Sequence, residues 1–172
     1  MKPASGLIAA LALWLTGCGY HTAGHFNQLP QSVQTIAIPA FINQSGTYKI
    51  EQRLTAAVVR EFVTRTRYHI ENEPSEDADA TLKGWVISAS ESPATYDSQT
   101  GRAASVLITV NMKVSLIDRH GKALYQNPSY VFREQYQVSQ ELTSFFEEDS
   151  PAFDRLSRNF ARTLVSNVLE GF

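Results

Sequence analysis

The hydrophobic and polar positions of this chain follow two periods, and each marks out a different part of it. Over residues 104–118 the alternation is strict. Val106, Ile108, Val110, Met112, Val114 and Leu116 fall on one side, and Leu107, Thr109, Asn111, Lys113, Ser115 and Ile117 on the other. A period of two with one apolar and one mainly polar side describes a strand in an antiparallel sheet covered on a single face. Residues 81–92 form a second extended run, and Asp118-Arg119-His120-Gly121 is a turn leading into a third, 122–138, as a hairpin. Pro128 interrupts that third strand, so a bulge or a sheet edge is expected there, because proline brings no N–H to the ladder. Two shorter runs complete the set: residues 33–39, rich in β-branched side chains and stopped by Pro39, and Tyr68-His69-Ile70-Glu71. Residues 43–47 and the acidic stretch 73–79 read as turns.

The helical period occurs twice. Over residues 48–66, Ile50, Leu54, Val58 and Phe62 recur at helical spacing with Ala57 beside them, while Arg53, Arg60, Thr64 and Arg67 fall off that stripe. Thr47 is placed to cap the start, and Glu51 sits in the first turn, where the helix dipole favours an anion. The second helix has Ser150 as N-cap, Pro151 at the first helical position and Gly171 near its end. Phe153, Leu156, Phe160, Leu164 and Val168 form its buried stripe. Arg155, Arg158 and Arg162 project from the other side, either as a solvated face or as a contact for a partner or a lipid phosphate. The order strand, helix, several strands, helix predicts an α+β two-layer sandwich: a mostly antiparallel sheet of about four or five strands with both helices packed on one face. Residues 32–172 read as one domain, without internal repeats.

The N-terminus has a different character. Lys2 precedes an apolar run over residues 7–15, which is too short to be a good membrane span, and the run closes on Leu15-Thr16-Gly17-Cys18. Small residues before the only cysteine make this a lipoprotein processing signal over residues 1–17. Cys18 is then expected to carry a diacylglycerol thioether and an N-acyl chain such as palmitate. An ordinary secretory signal with a chance cysteine is the alternative, but a lone thiol in an exported chain would lack a partner. Two or more acyl chains, at about 0.8 kcal/mol per buried methylene, make a lasting anchor. An aspartate after the cysteine would signal inner-membrane retention; Gly19 stands there, which points to the outer membrane, periplasmic side. Residues 18–31 form a polar leash with Tyr20 and Phe26 as docking points.

Charge and composition narrow the function. The chain has 15 Lys and Arg against 17 Asp and Glu, a formal charge of −2 that becomes one unit more negative when Lys2 leaves with the signal. That balance gives no electrostatic footprint for nucleic acid, and the length supports a core without disulfides. His21, His25, His69 and His120 are scattered without metal-site spacing, and neither a nucleophile elbow nor a Gly-rich phosphate loop is present. No enzyme, no metal and no cofactor beyond the covalent lipid are expected. Asn43-Gln44-Ser45 matches a glycosylation sequon by accident.

Several fragments in order, Cys18-Gly19-Tyr20-His21-Thr22-Ala23-Gly24, Leu29-Pro30, Thr35-Ile36-Ala37-Ile38-Pro39-Ala40-Phe41-Ile42-Asn43 and Ile50-Glu51-Gln52-Arg53-Leu54-Thr55, resemble the LptE family of lipopolysaccharide-assembly lipoproteins, in its short non-enterobacterial branch. The resemblance implies a non-enzymatic protein that plugs the lumen of the LptD β-barrel in the outer membrane. It would help that barrel fold and assist delivery of lipopolysaccharide to the outer leaflet. It also implies lipopolysaccharide contacts in the loop joining the two long strands and in the loop entering the last helix. The first loop, 93–104, carries Tyr96 and Arg102. The second carries Phe145 and Phe146, but Glu147, Glu148 and Asp149 follow and would repel phosphate unless a divalent cation intervened. Arg102 and Lys113 are the candidate lipopolysaccharide or barrel contacts. The strip Thr109, Asn111, Lys113 and Ser115 either meets the barrel or is simply solvated. A second reading, a lipoprotein activator of a periplasmic cell-wall synthase, usually needs a long linker. Here about a dozen residues, reaching roughly 40 Å at most, separate Cys18 from the first strand.

Overall fold

The computed structural model describes residues 29–138 and 149–170. The signal 1–17, Cys18, Tyr20, His21, His25, Phe26, Phe145, Phe146, Glu147, Glu148 and Gly171 lie outside them. The elements run β1 (Thr35–Ala37), β2 (Ile42–Asn43), α1 (Ile50–Arg65), β3 (His69–Glu71), β4 (Ala80–Tyr96), β5 (Ala103–Asp118), β6 (Ala123–Gln137) and α2 (Asp149–Glu170). The sheet has six strands rather than four or five, ordered β3-β1-β4-β5-β6 with β2 also on β4. Its long part is antiparallel, β4 to β5 to β6. β1 pairs in parallel with β3 and β4, and β2 with β4. The parallel β1–β3 pair follows from the connection, since α1 carries the chain back to the end where β1 began.

Both helices cover one sheet face. Ile50, Leu54, Val58 and Phe62 of α1 meet Phe153, Leu156, Phe160, Leu164 and Val168 of α2 over Ile108, Val110, Met112, Val114 and Leu116 of β5. Phe160 is the aromatic centre, with ring centroids 6.4 Å from Phe41, 6.1 Å from Tyr130 and 4.9 Å from Phe132, all edge-on. The Tyr130 hydroxyl is bonded to that of Tyr125 and accepts from Asn167 Nδ2 at 2.8 Å, fastening α2 to β6. Burial, with the Tyr125 hydroxyl second, pushes the Tyr130 phenol well above its ordinary value. Leu29 and Val33 are buried in the same core.

The start of α1 differs from expectation. Lys49, in the left-handed region at φ 54°, is the N-cap residue, and no side chain caps the helix. Thr47 is otherwise engaged: its carbonyl accepts from Asn43 Nδ2, which also donates to Glu51 Oε2 at 2.8 Å. Asn43 Oδ1 takes the backbone N–H and hydroxyl of Ser45, so the sequon asparagine is the organiser of this turn. Ser150 lies inside the first turn of α2, since the helix begins at Asp149. Pro128 sits where Met112 pairs with Tyr130 but Val114 pairs with Asn127, a bulge on what is also the edge strand. In the acidic stretch, Asp79 is structural. Its carboxylate accepts the N–H groups of Gln34 and Thr35 and pairs with Arg119, and these contacts hold its pKa below the ordinary value.

Candidate functional site

The helix-free face of the sheet is the candidate site. Side chains opposite one another across antiparallel strands share a face, and the register sets out successive rows. Lys83, Ser115 and Gln126 form one row. Next comes Trp85 with Lys113, then Ser88, Asn111 and Val131, then Ser90, Thr109 and Arg133, then Ser92, Leu107 and Gln135. The expected strip Thr109, Asn111, Lys113 and Ser115 does lie on this face. The strand pairing adds a serine column from β4 on one side and Arg133 and Gln135 from β6 on the other. Three of the strip residues are half-buried and Ser115 is buried by its neighbours.

Lys113 lies with its Nζ 5.2 Å from the centre of the Trp85 ring, a cation–π contact that fixes the ammonium over an aromatic platform. Asn111 Nδ2 donates to Ser88 Oγ at 2.7 Å. Ile42 stands opposite Trp85, and Ile42, Ile87 and Val131 are exposed, so the polar face carries apolar points near the lysine. Nearer the hairpin tip, the Ser105 hydroxyl meets Thr95 Oγ1 at 2.7 Å and accepts from Gln135 Nε2 at 2.8 Å, closing a polar triplet.

The turn at the tip is built by Asp97. Its Oδ1 accepts from the Thr100 N–H and hydroxyl and from the Gln99 N–H, contacts that lower its pKa. Gly101 supplies the positive φ of 66° that the turn needs. Arg102 follows it, exposed, with no side-chain partner among the described residues. Arg102 and Lys113 are not brought together: eleven residues of extended chain set them roughly 35 Å apart. Tyr96 is 66% exposed at the same tip as Arg102.

The opposite end of the sheet receives the N-terminal segment. Pro30, Ser32 and Val33 line a hollow with Asp79, Asp118, Arg119 and His120, so the first described residues sit at the Asp118–Arg119 turn, away from the Arg102 tip. No group of three or more His, Cys, Asp or Glu among the described residues could hold a metal ion, and none of the described helices is long and apolar enough to cross a membrane.

Residues 33–168, from the approach to β1 to the last turns of α2, match the LptE lipopolysaccharide-assembly family. The chain belongs to that family. Solved structures carry the same fold at low identity. Uncharacterized lipoprotein B from Nitrosomonas europaea is 13% identical with a TM-score of 0.57, covering 88% of this chain and 90% of its own. A minor lipoprotein from Acinetobacter baumannii is 13% identical with a TM-score of 0.52, covering 83% and 95%. A hypothetical protein from Chlamydia trachomatis is 9% identical with a TM-score of 0.52, covering 82% and 98%. No curated protein sequence matches the chain.

Two parts of the site are not legible from alternation along the chain. Arg133 joins the open face only because the bulge at Pro128 reverses the phase of β6. The serine column of β4 does so because a bulge between Val86 and Ser88 reverses that strand. The arginine row of α2 also splits. Arg155 Nε binds Glu134 Oε1 of β6 at 2.6 Å, whereas Arg158 and Arg162 turn towards α1.

Proposed function

We propose that this LptE-family protein is a non-enzymatic lipoprotein of the outer membrane, held on the periplasmic side by the diacylglycerol and N-acyl chains of Cys18. In this reading it plugs an LptD-like β-barrel, assists the barrel's assembly and helps deliver lipopolysaccharide to the outer leaflet. The observation that carries the reading is the family match over residues 33–168, which takes in the whole sheet and nearly all of the helix layer.

The geometry supports it in two ways. Transmembrane barrels have polar interiors, and the open face is mainly Ser, Thr, Asn and Gln with Lys113 and Arg133 set into it, beside apolar points at Ile42, Ile87 and Val131. The second support is length. The β4–β5 hairpin extends about 50 Å, against an apolar band about 25 Å tall on a barrel. With the first described residues at the Asp118–Arg119 end, the Arg102 tip can reach through the lumen from a base held at the inner leaflet.

Reversing the charge of both Arg102 and Lys113 to glutamate tests the site assignment. Surface lipopolysaccharide, or the yield of mature barrel, is expected to fall several-fold. The thermal melt of the purified protein should stay within about 1 kcal/mol of wild type, the worth of one cation–π contact. Undiminished export with both charges reversed would remove these residues from the site.

A further inference from the structure

The two helices run parallel and end together at the base of the sheet. Arg53 meets Asp154 at 3.6 Å near their starts, and Arg65 Nη1 donates to Ser166 Oγ at 2.7 Å near their ends. Between those ends and the approach to β1 lies a hollow of about 610 Å³. Val33, Tyr68 and Leu169 form its apolar side, and Gln34, Arg65 and Arg67 its polar rim. Val33 is buried, while Tyr68 and Leu169 are half-buried and pack on the core, so the apolar side continues the core outwards. A hollow of this size takes a body larger than one side chain.

The chain itself brings a segment to this place. Leu29, the first described residue, is buried in the same core as Val33. The Val33 N–H donates to the Pro30 carbonyl at 2.8 Å, closing a turn that folds the chain back, so Leu29 lies close to Val33 and Gln34 on the wall of the hollow. Upstream runs Gly19-Tyr20-His21-Thr22-Ala23-Gly24-His25-Phe26-Asn27-Gln28, without Asp, Glu, Lys or Arg. Its nearest large apolar side chain is Phe26, three residues or about 10 Å of chain from Leu29. A short link of this kind gives the ring an effective concentration in the millimolar range, so a weak contact suffices to seat it.

We infer that residues 19–28 dock in this hollow, with the Phe26 ring against Val33, Tyr68 and Leu169 and the side-chain amides of Asn27 and Gln28 at the rim beside Gln34 and Arg67. The segment precedes residues 33–168, so the docking belongs to this chain's own N-terminal part and not to the matched family region. Docking leaves only residues 18–25 as free tether, a reach of roughly 25 Å. It also turns the base of the sheet, where Ile36 pairs with Ala80 and Ala80 with Asp118, towards the anchored end, and the Arg102 tip away from it. That orientation rests on the Cys18 anchor of the proposed function; the docking itself needs neither anchor nor barrel.

The test is photocrosslinking of the full-length protein in mild detergent with benzoylphenylalanine in place of Phe26. Mass spectrometry of the digest also reads the modification of Cys18, so a missing anchor and a missing contact are told apart. An intramolecular crosslink from position 26 to the peptide of Tyr68 or of Leu169 is expected, and Leu169→Gln should lower its yield by about threefold or more. In the protein without the probe, amides 25–28 should exchange at least about tenfold more slowly than in an unfolded chain, and Phe26→Ser should remove that protection while exchange in β5 stays unchanged. The serine lies outside the described core, so its effect reads docking and not folding. The proposal is overturned if position 26 crosslinks only to a second copy, another protein, lipid or detergent, or if its yield ignores Leu169→Gln. Capture of the hollow by a probe at Phe172 in place of one at Phe26, or exchange over 25–28 at the unfolded rate, would overturn it equally.

Discussion

Phe160→Ala is expected to lower the unfolding free energy by about 3–5 kcal/mol, a large share of the roughly 5–15 kcal/mol that holds a domain together. The ring is fully buried and meets three aromatic rings edge-on, Phe41 behind β1 and Tyr130 and Phe132 on β6. Alanine removes the transfer energy of the ring and leaves a void that three rings, each held by other contacts, cannot fill. The same ring joins α2 to the sheet, so the helix layer loosens where Asn167 and Tyr130 also meet. Denaturant unfolding should show a lower midpoint with an unchanged slope. A loss below about 1 kcal/mol would mean that Phe160 is not the packing centre.

Gly84→Ala has an effect whose sign is not obvious from the strand alone. In a strand interior, alanine should be better than glycine by about 0.5–1 kcal/mol. Here an added Cβ would lie 2.8 Å from Cγ and Cδ1 of Phe41, closer than real contacts allow. Phe41 is 4% exposed and braced by Phe160, so it cannot swing clear. Overpacking of this kind costs about 1–3 kcal/mol, which outweighs the backbone gain, and a net loss is expected. Placing Gly84→Ala in a Phe41→Leu background separates the two terms. The smaller side chain should relieve the clash, giving a coupling of about 1 kcal/mol or more in the double-mutant cycle. Additive losses would show that glycine is needed there for another reason.

What the sequence made legible depended on whether a strand keeps its phase. β5 has no bulge of its own between Ile108 and Leu116, so simple alternation named its core face and put Lys113 on the opposite one. β4 buries Leu82 and Val86 before its bulge and then turns Ala89 inward, while β6 buries Tyr125 before Pro128 and Tyr130 after it. Counting by twos through either bulge assigns the far half to the wrong face, and that hid Ser90, Ser92 and Arg133. Helical stripes were legible because neither helix is interrupted. The cap of α1 was not, since Asn43 bonds the Thr47 carbonyl and Lys49 turns the chain through a positive φ. The parallel pairing of β1 and β2 rests on contacts distant in sequence, with no local signal. The arginines between the helices were half visible: Arg158 and Arg162 stood out along α2, but only helix packing brings Arg60 of α1 to the same cleft.

The central proposal is that this chain works inside a β-barrel of its own membrane, and the direct measurement is a mild-detergent pull-down of the full-length lipidated protein from its native outer membrane, with the stoichiometric partner identified. Recovery of one large β-barrel protein in one-to-one ratio is the expected result. Recovery of a cell-wall synthase, or of no stoichiometric partner, would contradict it.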